Sequence, residues 1–159
     1  MASPRFFGII TPNHNTAIGE FALGNNDSSG NGNANENTAV GSEALGVNIN
    51  GSENTAVGTF ALGNNQASGI TAIGADALSG NTDGIRNTAA GTAALFQNEH
   101  ADDNTAVGWD ALLNNDSSQN GTANSNTAVG SEALEDNVNG SDNTAVGSRG
   151  KPRLSDLRR

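Results

Sequence analysis

A five-residue motif, Asn-Thr-Ala-Val-Gly, recurs eight times along this chain of 159 residues and constrains its fold more than any other feature. The copies, some with one or two substitutions, end at Gly19, Gly41, Gly58, Gly74, Gly91, Gly108, Gly130 and Gly147. Their spacings are 22, 17, 16, 17, 17, 22 and 17 residues, and an Ala-Leu pair follows all but the last. A unit of about 17 residues, punctuated by Gly and Asn, is too short and too poor in helix formers for a helical hairpin. The repeat therefore predicts a parallel β-solenoid of about eight coils over residues 15–148, an all-β fold.

A longer repeat of 89 residues is superimposed, since residues 15–58 resemble residues 104–147. Both 22-residue units carry the same kind of insert, at 25–29 and 114–118. Five coils were therefore duplicated as a block. The inserts are predicted to protrude from the rod as variable binding loops, with tolerated surface insertions as the alternative.

Alternation along the motif places Thr and Val on one strand face and Ala on the other. Because β-branched residues stacked in a column favour the inside of a coil, we predict that Thr and Val point inward together with the leucines. The predicted core columns are Thr16, Ile18, Leu23, Val40, Leu45, Val57, Leu62, Ile73, Leu78, Val107, Leu112, Val129 and Leu134. The Asn that opens the motif suits a turn and a stacked amide ladder, and the Gly suits a corner with positive φ.

An unbroken column of alanines is then predicted to point outward. A solvated face would vary and carry charges, so an invariant small residue indicates close packing against another copy of the chain. The predicted subunit interface is Ala17, Ala39, Ala56, Ala72, Ala89, Ala106, Ala128 and Ala145. Cyclic symmetry would bring these columns together around one axis.

The composition favours assembly over a single globule. Only 34% of the residues are apolar and 4% aromatic, with 21 Gly and no Cys, so large core side chains and disulfides are lacking. Small scaffolds of this kind often gain stability by assembling.

No apolar run approaches the roughly 20 residues that span a bilayer, and the run at 6–10 is too short for a signal peptide. The sequence thus predicts no membrane insertion, export signal or anchor.

Charge is segregated along the chain. Residues 6–148 hold 16 acidic residues against Arg86 alone, whereas 149–159 hold five basic residues against Asp156. The acidic body disfavours binding to nucleic acid or to anionic membranes.

We predict three segments: an N-terminal cap at 1–14, the repeat domain at 15–148, and a basic, disordered tail at 149–159.

The motif with its following Ala-Leu resembles the head repeats of trimeric autotransporter adhesins, the YadA-like head, and related repeat segments of phage tail fibres. The resemblance covers residues 15 to about 148. It implies a left-handed parallel β-roll in which three chains associate side by side as a homotrimer. It also implies a location at the cell surface, outside the cell or on a phage tail, with a surface or matrix ligand as partner.

Catalytic, cofactor and metal sites are not predicted. The two histidines, His14 and His100, lie 86 positions apart, and no nucleophile–base pair or calcium-loop pattern is present. Glu99, His100, Asp102 and Asp103 cluster locally, which is typical of a solvated acidic loop and less so of a cation site.

Three aromatic residues, Phe21, Phe60 and Trp109, occupy positions that carry Glu, Asp, Ser or Ala elsewhere, so they are possible partner contacts.

Three functions follow as hypotheses. The first is a non-enzymatic adhesin or fibre segment that attaches to a surface or host matrix. The second is a self-assembling filament in which coils of successive subunits stack end to end. The third is ice binding through the Thr column, which the predicted inward direction of Thr disfavours.

Overall fold

A computed structural model describes residues 14–27 and 33–148. The predicted N-terminal cap, apart from His14, and the predicted basic tail lie outside the described residues, as do positions 28–32, which include the end of the first insert.

The described residues form parallel strands and turns, which confirms the predicted all-β solenoid. A long sheet holds one motif strand per coil: β1 (Thr16–Ile18), β3 (Thr38–Val40), β5 (Thr55–Val57), β7 (Thr71–Ile73), β8 (Thr88–Ala90), β9 (Thr105–Val107), β10 (Thr127–Val129) and β11 (Thr144–Val146). A short sheet comprises β2 (Asn25–Asn26), β4 (Val47–Asn48) and β6 (Asn64–Asn65). The strand order is β1-β3-β5-β7-β8-β9-β10-β11 in the long sheet and β2-β4-β6 in the short sheet. Each motif residue lies opposite its equivalent in the next coil, as in Thr38 with Thr55.

Each coil turns its corners through residues with positive φ. The motif glycines have φ between 129 and 147°, and the leucine of each Ala-Leu pair has φ between 48 and 54°. A left-handed conformation costs an ordinary residue roughly 1–2 kcal/mol. Hydrogen bonds between coils offset this strain, since Leu45 N–H donates to the Ala61 carbonyl at 2.9 Å and Leu62 N–H to the Ala77 carbonyl at 3.0 Å.

The motif alanines lie inside the coil, so the sequence-based prediction of an outward Ala column is wrong. The six central alanines have no solvent exposure within their own chain. They are Ala39, Ala56, Ala72, Ala89, Ala106 and Ala128. Ala17 is exposed and Ala145 half-buried because they belong to the first and last described coils. A side chain with no accessible surface cannot contact a second chain, so the predicted Ala interface is excluded.

The Thr and Val columns face outward, which corrects their assignment to the core. Predicted core residues Thr16, Ile18, Ile73, Val107 and Val129 are exposed, and Val40 and Val57 are half-buried. The leucines do lie in the interior: Leu45, Leu62, Leu78 and Leu112 are fully buried, and Leu23 and Leu134 pack against the same core. The reason is space. Leucine and asparagine already fill the interior of a coil this narrow, which leaves room for a methyl group opposite them but not for a Val side chain.

Two asparagine ladders run through the interior and replace much of a hydrophobic core. The motif ladder is Asn15, Asn37, Asn54, Asn87, Asn104, Asn126 and Asn143, and the turn ladder is Asn26, Asn48, Asn65, Asn81, Asn98, Asn115 and Asn137. In the turn ladder, each Nδ2 donates to the Oδ1 of the preceding coil, for example Asn115 to Asn98 at 2.7 Å. Among the described residues, no buried side-chain polar atom lacks a partner. Buried amides that are fully paired in this way stabilise one register of stacking.

Ile70 interrupts the motif ladder and gives a test of it. Elsewhere the motif Asn accepts a hydrogen bond from the next backbone N–H, as Asn87 Oδ1 does from Asn104 at 2.9 Å. Ile70, which is 1% exposed, has no side-chain oxygen to accept a hydrogen bond from Asn87. We expect Ile70→Asn to leave the free energy of unfolding within about 1 kcal/mol of wild type, because the new hydrogen bonds offset the lost apolar burial.

Urea denaturation of Ile70→Asn beside Ile70→Ala measures this effect. Ile70→Ala removes the same apolar volume without adding an amide, so it should cost about 2–5 kcal/mol. Equal destabilisation by the two substitutions would contradict a role for the ladder at this position.

Candidate association and attachment surface

The outward side chains of the long sheet form a continuous surface, which we call the Thr/Val face. It consists of one column of threonines and one column of Val or Ile, with Ala90 as the single smaller member. Within the stack, Ile73, Val107 and Val129 of the second column are 46%, 40% and 37% exposed, and the end members Ile18 and Val146 are 62% and 78% exposed. Adjacent parallel strands lie about 4.8 Å apart, so the face extends about 38 Å over eight coils. It carries no charged residue.

Three exposed aromatic side chains lie at the coil corner that follows this face. Phe21, Phe60 and Trp109 are 67%, 42% and 52% exposed. They come one or two residues after the motif glycine, next in sequence to the Val column. Large apolar groups at the edge of an apolar face extend the surface available for association.

The predicted acidic cluster does not come together as one site. Among the described residues, no group of three or more His, Cys, Asp or Glu is placed to hold a metal ion. His100 Nδ1 lies 2.5 Å from Asp83 Oδ1 and its Nε2 lies 3.7 Å from Glu99 Oε1. Asp102 accepts the Ile85 N–H at 2.8 Å. Asp102 and Asp103 thus contact the preceding coil, whereas Glu99 lies near the adjacent His100 of its own coil.

Arg86 and Asp103 form a paired contact on the outside of the rod. The guanidinium donates through Nε at 2.6 Å and through Nη2 at 2.7 Å to the two carboxylate oxygens. This bidentate hydrogen bonding lowers the pKa of the Asp103 carboxyl and raises that of Arg86. Both side chains are exposed, so the pair contributes little to stability.

His100 should make stability depend on pH. Its hydrogen bond to Asp83 raises the pKa of the imidazole, and the charges of Asp83, Glu99 and Asp116 act in the same direction, against burial. A raised folded-state pKa means that this stabilisation is full below the unfolded pKa and is lost as pH rises through the folded value. We therefore expect the melting temperature to fall as pH rises from the unfolded-state pKa of His100 through its folded-state pKa.

Thermal melts between about pH 5 and pH 8 test this prediction. In Asp83→Asn, which removes the main partner of the imidazole, the fall should be reduced. A melting temperature with the same pH dependence in both proteins would contradict the assignment to His100.

The second insert is anchored by a buried carboxylate. Asp116 is fully buried and follows Asn115 of the turn ladder. Its oxygens accept the backbone N–H groups of His100 at 3.1 Å and Gly121 at 2.9 Å, and more weakly that of Asn120 at 3.3 Å. The described insert therefore has a fixed base. Asp27 stands at the corresponding position of the first insert, whose last two residues lie outside the described residues.

Comparison of this chain with protein-family models, curated proteins and solved structures finds no match. A search of the described residues for a helix long and apolar enough to cross a bilayer also finds none.

Proposed function

We propose that this chain is a non-enzymatic structural and adhesive protein. Three copies associate side by side into a homotrimeric rod that attaches to an extracellular surface or matrix, at the cell surface or on a phage tail. The observation that supports this proposal is the uninterrupted Thr/Val face on the outside of an otherwise acidic rod. The face takes the place of the excluded alanine column as the contact between copies.

Burial is the first argument for association through this face. Thr carries a methyl group outward in every coil, and Val or Ile does so in every coil but one. Half-exposed β-branched side chains gain free energy when water leaves them. Identical side chains recur at each coil, so two copies can align along their whole length. The exposed aromatic residues at the adjoining corner add apolar area beside the Thr/Val face.

Charge is the second argument. The body carries 16 acidic residues against one basic residue between positions 6 and 148, so copies repel each other except where charge is absent. The Thr/Val face is such a region. Salt screens exposed charges, so association should strengthen as ionic strength increases.

Multi-angle light scattering at micromolar concentration tests the assembly. The trimer has a mass of about 48 kDa, three times the 16.0 kDa of one chain. Val107→Asp should give monomers with an unchanged circular dichroism spectrum, because it buries a charge in the contact. Val138→Asp is the matched control, since Val138 is 38% exposed and lies outside the long sheet.

A wild-type monomer, or a Val138→Asp protein as dissociated as Val107→Asp, would contradict association through the Thr/Val face. Masses far above 48 kDa that persist in Val107→Asp would favour end-to-end filaments in place of side-by-side trimers. Attachment is tested separately, by retention of the rod on immobilised extracellular matrix.

Ice binding is the second candidate function, and the outward Thr column favours it. The sequence-based argument against it required buried threonines, whereas these are half-buried or exposed. Thr hydroxyls and methyls repeat at the strand spacing of about 4.8 Å on a charge-free face, a regular array that can order water. Thermal hysteresis in a monomeric wild-type protein, abolished by Thr105→Asp, would favour this candidate. A trimer without hysteresis would exclude it.

A further inference from the structure

An open-sided cavity of about 270 Å³ lies where the second insert meets the rod. Phe96, Gln97 and Glu99 line it from one coil. Ser117 of the insert and Gln119, which follows the insert, line the other side. The backbone below is closely packed, since an added Cβ at Gly80 would lie 2.6 Å from the Phe96 carbonyl oxygen. The insert thus turns a flat side of the rod into a concave site.

The polar groups that line this cavity have unused hydrogen-bonding capacity. Within the described residues, the side-chain amides of Gln97 and Gln119 and the hydroxyl of Ser117 make no hydrogen bond. The wall that carries two of them is held in place, because Asp116 accepts backbone hydrogen bonds from His100 and Gly121 and Gln119 N–H donates to the Asp116 carbonyl at 2.7 Å. Two amides and a hydroxyl supply both donors and acceptors.

The half-buried ring of Phe96 adds an apolar surface to these polar groups. It occupies a position that carries Gly, Ser, Leu or Glu in the other coils, so this aromatic ring is particular to the coil beside the insert. The face of an aromatic ring has a partial negative charge and attracts polarised C–H groups. A ring beside amides and a hydroxyl matches a ligand that presents C–H bonds on one side and hydroxyl groups around its edge.

The charge around the cavity restricts the ligand further. Glu99 and the buried Asp116 line it, and Asp83 lies next to His100 on the adjoining coil. Carboxylates at this density repel an anionic ligand and attract a neutral or cationic one. The volume is below the range typical of drug-sized ligands, which fits a single small ring.

We infer that this cavity binds one pyranose unit of a neutral or amino sugar, with Phe96 under the ring and Gln97, Ser117 and Gln119 on its hydroxyl groups. The inference deepens the proposed attachment role and rests on it for its biological meaning, because it names a glycan as the class of surface molecule recognised. The binding itself requires only the cavity.

Saturation-transfer NMR on the full chain tests it, with galactose, N-acetylglucosamine and glucosamine as probes. N-acetylneuraminic acid serves as the anionic counter-probe. We expect transfer to at least one of the three probes and none to the anionic sugar. Phe96→Ala should weaken binding by roughly tenfold, as should Gln119→Ala, which changes only an exposed side chain. Gln66→Ala, at an exposed glutamine that does not line the cavity, is the matched control for Gln119→Ala and should bind as wild type.

Absence of transfer to the three probes, transfer to the anionic sugar alone, or equal binding by wild type and Gln119→Ala would overturn the inference. Light scattering on the same samples separates it from the proposed function. A trimer that binds no sugar contradicts only the cavity assignment, whereas sugar binding by a monomer contradicts only the trimeric rod.

Discussion

Gly74→Ala should unfold the central coils, with a loss of stability of about 4 kcal/mol or more. Gly74 has a φ of 134°, and an added Cβ would lie 2.4 Å from the carbonyl oxygen and 2.6 Å from the carbonyl carbon of Gly91. Both atoms are backbone of the adjacent coil, so neither can move without breaking the parallel hydrogen bonds on either side. Strain from the positive φ adds about 1–3 kcal/mol to the clash.

Gly147→Ala separates these two effects. Gly147 has the same φ of 134°, but nothing lies within 4 Å of an added Cβ, so this substitution introduces strain without a clash. Urea denaturation followed by circular dichroism should show a loss of about 1–3 kcal/mol for Gly147→Ala and a clearly larger one for Gly74→Ala. Equal losses would mean that the close approach of the coils contributes nothing.

Asn65→Leu should have the second largest effect, lowering the free energy of unfolding by about 3 kcal/mol or more. The Asn65 side chain is 1% exposed and makes four hydrogen bonds. Its Nδ2 donates to Asn48 Oδ1 and the Ala67 carbonyl, and its Oδ1 accepts from Asn81 Nδ2 and the Ala67 N–H. Leucine keeps the volume but leaves buried partners unpaired, and each unpaired group costs roughly 1–3 kcal/mol.

The control for Asn65 is its neighbour in β6. Asn64 is exposed, so Asn64→Leu should change the free energy of unfolding by no more than about 0.5 kcal/mol. Thermal and urea denaturation of the two variants, at equal protein concentration, give the comparison. A small effect of Asn65→Leu would show that the turn ladder does not stabilise the fold.

The solenoid was predictable from spacing alone. A unit of about 17 residues with one strand motif and fixed Gly and Asn positions allows few alternatives to stacked coils, and the parallel register of Thr38 with Thr55 follows from identical units. The interior asparagines of the motif were predictable as a ladder for the same reason. The turn ladder also left a signal, since each Ala-Leu pair is followed three residues after the leucine by an asparagine.

The direction of the motif strand was not predictable from alternation. A period of two residues defines two faces but does not say which of them lies inside. The rule that β-branched residues are buried failed at Val107, because the available interior space decides the outcome and Leu112 and Asn115 already occupy it. Equally, no sequence pattern marks the cavity beside Phe96, because it arises from the path of an insert whose base depends on buried Asp116.

Stacking in strict register has a consequence for how such a molecule can change in evolution. Each coil contacts its neighbours through the same set of atoms, so excision of residues 75–91 would bring Thr92 directly after Gly74 and leave equivalent surfaces facing each other. Loss of a single residue within a motif would instead displace every later ladder by one position. The motif strands can therefore change in number only by whole coils, whereas the turns between them accept extra residues, as the inserts at 25–29 and 114–118 show.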